Sequence, residues 1–340
     1  MGQHLSSRAP VETRSVVTIR EVASHAGVSI ATVSRVLSGN GQVAEPTRER
    51  VLTAVRDLRF TPSRLGRSLA ERRHAANGIV FPDLSGPYYA EVVLGYEAAA
   101  AEIGRSVLIL STHGRPAARE MVLDLAGRVD GLVVLGRTVS DEVVVEIAER
   151  GTPVVLLARP PVDDVDSVTT ENAGSAAQLA RHLLADGRRD VLFVGDPDSS
   201  PDIADRWRGV REALAQAAAP RPAQRDAGGF SEDDGAAVAR SLLAGGMPDA
   251  LVCANDELAL GALAELRSAG VSVPDDVAVT GWDDVMAARY AGLTTVRQPM
   301  RQIGMTAARA LDACIRGDTA RDRHHVLPTE LVVRGSCAHH

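Results

Sequence analysis

Residues 29–35, with the sequence SIATVSR, combine several hydroxyl side chains with one arginine. The hydroxyls of Thr32 and Ser34 can donate hydrogen bonds to phosphate oxygens, which fix a protein on the DNA backbone. The guanidinium of Arg35 can donate two parallel hydrogen bonds to O6 and N7 of a guanine, the commonest specific contact in the major groove. On a helix whose N-terminal end enters that groove, these residues would read a base sequence.

Three short amphipathic helices are predicted to position these side chains. Thr18 and Glu21 have the spacing of a capping box at the start of the first helix. Gly27 ends that helix, Ser29 can cap the second, and the third is predicted from about Thr47. The apolar stripe of the second helix is expected to comprise Ile30, Val33 and Leu37. This pattern predicts a helix-turn-helix, although an ordinary bundle with solvated arginines would share it.

Charge is divided unevenly along the chain, whose net charge is -7. Residues 1–75 hold 12 arginines and 6 acidic residues, whereas the remainder holds 25 arginines and 38 acidic residues. A basic head on an acidic body indicates that one end meets phosphate. The first fifteen residues lack a signal-peptide core, so we expect a cytoplasmic protein with a flexible leader and no membrane association. Three widely spaced cysteines form no metal-binding pattern, and we predict no metal and no cofactor.

From Gly78 onward, short apolar runs such as GIVFPD, GLVVLG and DALVCAND alternate with amphipathic stretches. This alternation is typical of parallel sheets covered by helices on both faces. Two such sets predict two doubly wound lobes, which bind ligands at the carboxyl ends of their strands. No GxSxG, HExxH or P-loop motif occurs, so an enzyme, considered as an alternative, has no catalytic constellation. An acidic surface loop is predicted at Asp163, Asp164 and Asp166.

Several longer stretches closely resemble one protein family. Residues 18–39 and 47–70, followed by ALVCANDELALGAL, VPDDVAVTGWDD and LTTVRQPMRQIGMTA, are similar in the same order to the lactose/galactose repressor (LacI-type) family of bacterial transcription regulators. The resemblance implies an all-α helix-turn-helix head and an α/β two-lobed, periplasmic-binding-protein-like effector domain with doubly wound parallel sheets. It also implies a homodimer that binds a near-palindromic DNA operator, and a small effector such as a sugar.

The resemblance assigns DNA contacts to the head and to a hinge. Ile30 and Ala31 occupy positions that vary with operator sequence, where apolar side chains would read thymine methyl groups or DNA shape. Leu69 lies in a hinge that folds into a helix on the operator, and it would wedge into the minor groove; packing between domains is the alternative. Ser63 and Gly66 depart from the family pattern in this hinge. Backbone or groove contacts are expected from Thr18, Ser29, Thr32, Ser38, Gln42 and Thr47.

In the effector domain, the resemblance assigns ligand contacts to Arg206 and Asp283. This pair suits vicinal hydroxyls, because the guanidinium donates two hydrogen bonds and the carboxylate accepts two. Packing between the lobes is the alternative for Tyr89, and a surface salt bridge is the alternative for the charged residues. Ala158 stands where many relatives carry an acid, so one acceptor is missing. The expected effector contacts are Tyr88, Tyr89, Arg159, Arg206, Phe230, Asn255, Asp256 and Asp283.

Together these patterns predict a ligand-controlled DNA-binding regulator, and most simply a repressor. The alternatives are a regulator that needs a nucleoside or other metabolite as corepressor, and a sugar-binding receptor without a DNA role. The expected parts are a leader (1–15), a helix-turn-helix domain (16–62), a hinge helix (63–75) and a two-lobed effector and dimerisation domain (76–340). One lobe is expected to comprise 76–170 and 297–324, and the other 171–296 and 325–337.

Overall fold

The computed structural model describes residues 17–38, 42–60 and 74–337. The chain divides into two compact units, one ending at His74 and the other beginning at Ala75. The leader and hinge residues Ser63, Gly66 and Leu69 lie outside the described residues. No described helix combines the length and the apolarity that crossing a lipid bilayer requires.

The first unit contains three helices: α1 (Ile19–Ala26), α2 (Ile30–Ser38) and α3 (Glu45–Asp57). The capping box is present, with the backbone N–H of Thr18 donating to the Glu21 carboxylate at 2.6 Å. Gly27 adopts the left-handed conformation, with φ of 64°, that ends α1. Helix α3 begins slightly before the predicted Thr47, because Pro46 fits a first helical turn, where its missing N–H leaves no hydrogen bond unmade.

The small core of this unit differs in one respect from the predicted stripe of α2. Val33 and Val36 are buried and Leu37 is partly buried, whereas Ile30 is 45% exposed. Val33 and Val36, one turn apart, take the core positions, so Ile30 at the start of the helix remains on the surface. The buried core residues are Val22, Ala23, Ala26, Val33, Val36, Val51 and Ala54.

The first lobe of the second unit is built on a six-stranded parallel sheet. Its strands are β1 (Ala76–Phe81), β2 (Ser106–Ser111), β3 (Gly131–Leu135), β4 (Val154–Leu157), β5 (Asp166–Thr170) and β11 (His324–Leu327), in the order β11-β5-β4-β3-β1-β2. Its helices are α4 (Pro87–Glu102), α5 (Ala118–Ala126), α6 (Asp141–Glu149) and α12 (Met300–Arg316). Helices α4 and α12 cover one face and α5 and α6 the other, since alternate strand residues point to opposite faces.

The second lobe is built on a four-stranded parallel sheet in the order β7-β6-β8-β9. Its strands are β6 (Val191–Val194), β7 (Ala223–Arg225), β8 (Ala250–Cys253) and β9 (Ala278–Thr280). Its helices are α7 (Ala173–Ala185), α8 (Pro201–Gln216), α9 (Glu232–Gly245), α10 (Asp256–Ser268) and the short α11 (Met286–Ala291). A separate antiparallel pair consists of β10 (Thr295–Arg297) and β12 (Glu330–Val332).

Two expectations about the second unit are wrong. Strand β11 pairs with β5, so residues 325–327 belong to the first lobe and not to the second. Asp166 is not in an acidic surface loop: it is 1% exposed within β5. Its carboxylate accepts hydrogen bonds from Arg321 at 2.6 Å and from Arg323 at 3.0 Å. These partners follow far along the chain, so local sequence could not reveal that a buried acid was compensated.

Within each lobe, glycines allow pairs of helices to pack with their backbones in contact. A Cβ on Gly95 of α4 would overlap the carbonyl oxygen of Arg301 in α12. A Cβ on Gly209 of α8 would likewise overlap the carbonyl oxygen of Ala173 in α7. These pairs therefore depend on the missing side chain at these positions.

Candidate functional site

The outer surface of α2 presents the residues predicted to read DNA. Ile30, Ala31, Ser34 and Arg35 are exposed. Thr32 is partly buried, and its backbone N–H donates to the Ser29 hydroxyl at 3.1 Å, which caps the helix start. A capped N-terminus that carries small and hydroxyl side chains has the shape and donor set of a major-groove reader.

The other predicted DNA contacts of the head are spread around this helix. The Thr18 hydroxyl and backbone N–H bind the Glu21 carboxylate and lower its pKa. Gln42 is exposed and Thr47 is partly buried. The side chain of Ser38 and the whole of Leu69 lie outside the described residues, so their contacts stay predictions.

In the second unit, Arg206 and Asp283 lie at the carboxyl ends of strands in the second lobe. Arg206 projects from α8, which follows β6, and Asp283 lies in the turn after β9. Both are buried. The backbone of Asp283 has a φ of 114°, a strained conformation held by its N–H, which donates to the Val296 carbonyl at 2.8 Å. Strain maintained at a strand end is typical of a residue placed for binding.

Arg206 is fixed by the protein at two of its three nitrogens. Nε donates to Oδ1 of Asn172 at 2.8 Å, and Nη1 donates to the carbonyl of Ala254 at 2.7 Å. The guanidinium lies over the ring of Trp282, 4.4 Å from its centroid. No described residue accepts a hydrogen bond from Nη2. The side chain is thus held in one orientation with donor capacity left for a ligand.

A chain of buried hydrogen bonds joins Arg206 to Asp283 through the segments that cross between lobes. Asn172, which binds Arg206, donates from Nδ2 to the carbonyl of Thr170 at 3.0 Å. The Thr170 hydroxyl donates to Oε1 of Gln298 at 2.8 Å, and Nε2 of Gln298 donates to Oδ1 of Asp283 at 2.5 Å. Thr170 and Asn172 lie at the crossing where the chain passes from β5 of the first lobe to α7 of the second, and Gln298 lies at the crossing between β10 and α12, where it returns to the first lobe. Arg206 and Asp283 are therefore each hydrogen-bonded to a residue of a segment that joins the two lobes.

The carboxyl groups around Arg206 have raised pKa values. Burial raises the pKa of Asp283 to about 7, with Arg206 acting in the opposite direction. Burial and the nearby Asp283 raise the pKa of Glu257 to about 7. Burial also raises the pKa of Asp202, in the first turn of α8. Asp283 and Glu257 can therefore act as hydrogen-bond acceptors or, when protonated, as donors near neutral pH.

The first lobe contributes two tyrosines opposite these acids. Burial and the charges of Asp202 and Asp283 raise the pKa of Tyr88 well above its ordinary value. Burial raises the pKa of Tyr89 to about 12, and its ring packs edge-to-face on Phe81 with centroids 5.7 Å apart. Both phenols stay protonated at neutral pH and keep a hydrogen to donate.

The acids and Arg206 of the second lobe and the two tyrosines of the first are together called the effector cleft. The lobes also meet beside it. A Cβ on Gly86 of the first lobe would lie 2.6 Å from the carboxylate of Glu257 in the second. Arg137 of the first lobe donates to the carbonyl of Asp198 in the second at 3.3 Å. The cleft therefore has charged and polar side chains on both walls and along the segments that join the lobes.

Three predicted effector residues have their polar atoms occupied by the fold. Arg159 forms an ion pair with Asp141 and donates to two carbonyls of the first lobe. Asn255 caps α10 through the N–H of Leu258. Asp256 is fully buried, and its oxygens accept from the Thr295 hydroxyl at 2.6 Å and the Val285 N–H at 2.8 Å. The assignment of Arg159, Asn255 and Asp256 to the effector stays a prediction, and in the fold these side chains act as helix caps and loop anchors.

Phe230 is 42% exposed, in the loop after β7, and its carbonyl accepts from Nδ2 of Asn255 at 2.9 Å. Its part as a wall of the pocket stays a prediction. Sequence reasoning missed Asn172, Asp202, Glu257 and Gln298. The only available signal was that Asn172, Glu257 and Gln298 lie within four residues of a strand end and Asp202 in the first turn of the helix after β6, positions shared by many residues that do not bind ligands.

Comparison with known proteins gives matches to both units. Residues 18–63 match the model for bacterial regulatory proteins of the lacI family, and residues 180–337 match the periplasmic binding protein-like domain. The chain is 34% identical to the HTH-type transcriptional regulator CelR of Thermobifida fusca, covering 96% of this chain and 100% of the relative. It is 31% identical to the HTH-type transcriptional regulator DegA of Bacillus subtilis (strain 168), covering 94% and 97%.

Solved structures agree with these matches. The lac repressor dimer bound to operator and the anti-inducer ONPF superposes with a TM-score of 0.85 at 28% identity, covering 95% of this chain and 99% of that chain. The CelR–cellobiose complex gives a TM-score of 0.69 at 33% identity, covering 94% and 99%. The helix-turn-helix head, the two parallel-sheet lobes and the near-complete coverage show that the chain belongs to the lacI family of bacterial regulatory proteins and is a DNA-binding transcriptional regulator.

Proposed function

We propose that this regulator is a repressor that acts as a homodimer on a near-palindromic operator and is controlled by a small hydroxylated ligand bound between its lobes. The observation that carries the proposal is the hydrogen-bonded path from Arg206 to Asp283 through two lobe crossings. A ligand that binds these two side chains is one hydrogen-bonded residue away from Asn172 and Gln298, which lie in the segments that join the lobes.

In the head, Arg35 reads a guanine, and the neighbouring Ile30 and Ala31 read methyl groups or groove shape. Leu69 wedges into the central minor-groove step of the operator. A two-fold symmetric dimer places two such heads on two half-sites, which requires a near-palindromic operator. The partner is chromosomal DNA, so the protein works in the cytoplasm. The remaining DNA contacts are those assigned to Thr18, Ser29, Thr32, Ser34, Ser38, Gln42 and Thr47.

The chemistry of the cleft favours a neutral polyol such as a sugar. Arg206 donates, while Glu257 and Asp283 accept or donate according to their protonation, and hydroxyl groups satisfy both kinds of partner. The rings of Tyr88 and Tyr89 supply apolar faces for a pyranose. Because Ala158 offers no acceptor, the carboxyl groups of this site come from the second lobe. The similarity to CelR, solved with cellobiose, supports a sugar over a nucleoside or another metabolite.

Ligand control follows from the segments that join the two lobes. A ligand held by Arg206 and Asp283 favours one arrangement of the lobes, because these residues bind Asn172 and Gln298 at the crossings. The two arrangements space the heads of a dimer differently, and only one suits the operator. The cleft carboxyls serve binding, and no nucleophile–base pair accompanies them in the described residues, so we propose no catalytic activity.

The test uses the full chain and an operator selected from random duplexes. We expect two inverted half-sites, dimeric protein in sedimentation, and a change in operator affinity with one compound from a panel of sugars and nucleosides. A single asymmetric half-site bound by monomer would contradict the DNA part. Unchanged ligand affinity in Arg206→Ala would contradict the cleft assignment, even if operator binding were as proposed.

A further inference from the structure

A second group of polar side chains lies at the other end of α7 from the cleft crossing. It comprises His182 in the last turn of that helix, Asp186 at its C-cap and Cys337 near the C-terminus. One ligand atom from each lies within 4.8 Å of the other two. We propose that these three side chains form a binding site for a transition-metal ion of the zinc type.

The two distances from His182 suit tetrahedral coordination. Nε2 of His182 lies 3.2 Å from Sγ of Cys337 and 3.7 Å from Oδ2 of Asp186. Metal–ligand bonds of about 2.0–2.3 Å to nitrogen, oxygen and sulfur place neighbouring ligand atoms about 3–4 Å apart. The same imidazole nitrogen therefore faces both partners, as it must to share one ion with them.

The charges also favour a cation at this place. Asp186 caps the C-terminal end of α7, where the helix dipole already carries partial negative charge, so its carboxylate is poorly placed without a positive partner. Arg188 is the nearby cation, but its guanidinium donates to the carbonyls of Pro274 and Asp275. A divalent ion bound by one thiolate, one carboxylate and a neutral imidazole would leave the site uncharged.

The donor set selects the class of metal. Imidazole and thiolate bind zinc, cobalt and copper in preference to magnesium or calcium, which require oxygen ligands. Three protein ligands leave the fourth position to water or another donor. His182 and Cys337 are 155 positions apart, which is why no spacing in the sequence indicates this site.

Occupation would join the C-terminal segment to the second lobe. The thiol of Cys337 lies 3.1 Å from the hydroxyl of Thr294, which donates to the carbonyl of Arg334 at 2.9 Å. The ion would therefore connect α7 to the segment that follows β12. This site is separate from the effector cleft, so its failure would leave the proposed effector control untouched.

The experiment titrates the full-length protein with Co²⁺, whose bond to a thiolate gives a charge-transfer band in the near ultraviolet. We expect one equivalent per chain, and an affinity for Zn²⁺ that raises the melting temperature by about 5 °C at a hundredfold excess over Kd. Asp186→Asn, on a partly exposed side chain, should weaken Zn²⁺ binding at least tenfold. Cys337→Ser should abolish the charge-transfer band, whereas the matched control Cys314→Ser should retain it.

A tail variant separates this site from an alternative. His339 and His340 follow Cys337 closely in the sequence, so we expect His339→Ala/His340→Ala to keep the band and His182→Ala to lose it. A band that survives His182→Ala and disappears in the tail variant would overturn the proposal in favour of a site made by the tail alone. Absence of any thiolate band in the wild type would also overturn it.

Discussion

Asp283→Asn should stabilise the ligand-free protein while impairing its response to effector. Burial raises the pKa of Asp283 to about 7, against about 3.9 for an unfolded aspartate. Each pKa unit corresponds to about 1.36 kcal/mol, so the shift implies at most about 4 kcal/mol of destabilisation at alkaline pH. This pKa already includes the attraction of Arg206, and because the neighbouring acids share the titration, we expect a gain of about 2 kcal/mol at pH 8 in the variant. Asparagine keeps an oxygen for the hydrogen bond from Gln298.

The sign of the effect depends on pH. A carboxyl whose pKa is raised by folding contributes stability below its unfolded pKa, and this contribution is lost as pH rises through the folded pKa. Asparagine does not titrate, so the advantage of the variant over the wild type should fall by more than half between pH 8 and pH 5. Urea unfolding at both pH values measures this directly. Trp207 and Trp282, the only two tryptophans, both lie in the second lobe and report its unfolding.

Asp284→Asn is the matched control, because the neighbouring carboxylate is also buried but is fully paired. It accepts from Nε of Arg297 at 2.7 Å and from Nη2 of Arg334 at 2.6 Å. Its replacement should destabilise the protein by about 1.5–3 kcal/mol, the opposite direction. If Asp283→Asn were less stable than the wild type at pH 8, or if its advantage were the same at both pH values, the reasoning about Asp283 would be refuted.

Four further substitutions test the head, the hinge, the cleft and the helix packing. Arg35→Ala should cost about 1–3 kcal/mol on the selected operator and much less on random DNA in an anisotropy titration; equal losses would make Arg35 a phosphate contact. Leu69→Ala should remove most DNA bending, measured by energy transfer between end labels, with effector affinity unchanged; unaltered bending would make the hinge a plain linker. Arg206→Ala should weaken effector binding about ten- to a hundredfold by calorimetry, since a charge-assisted hydrogen bond contributes about 1.5–3 kcal/mol, and operator binding without effector should persist. Gly209→Ala should lower the free energy of unfolding by about 1–3 kcal/mol through overlap with Ala173, whereas Gly245→Ala, with open space at its Cβ, should be nearly neutral; equal effects would show that α7 and α8 can separate cheaply.

The sequence predicted elements whose signal is local. The capping box of Thr18 and Glu21 and the serine cap at Ser29 formed as expected, because each depends on residues three positions apart. The apolar strands within GIVFPD, GLVVLG and DALVCAND were likewise recognisable. The strand DSVTT was not, because the charge of its Asp166 is balanced by Arg321 and Arg323 from the other end of the domain.

The effector cleft illustrates the same limit. Arg206 and Asp283 were identified through a resemblance, but their partners Asn172 and Gln298 were not, because an amide side chain has no sequence signature of its own. Nor could the sequence show that the carboxylate of Asp256 accepts hydrogen bonds from the Thr295 hydroxyl and the Val285 N–H, which lie far along the chain. Function at a strand end depends on which polar atoms the fold leaves unused, and only coordinates show that.

The glycine contacts inside the lobes restrict how the effector domain can move. Domain motions occur either by shear, in which packed helices slide past one another, or by hinge rotation. Sliding α4 along α12, or α8 along α7, would bring side chains into the backbone at Gly95 and Gly209. Shear within each lobe is therefore unfavourable, and motion concentrates in the crossings between the lobes. Ligands of different shape should then produce different extents of one rotation. A poorly fitting compound should therefore give a weaker response of the same kind, as a partial agonist does.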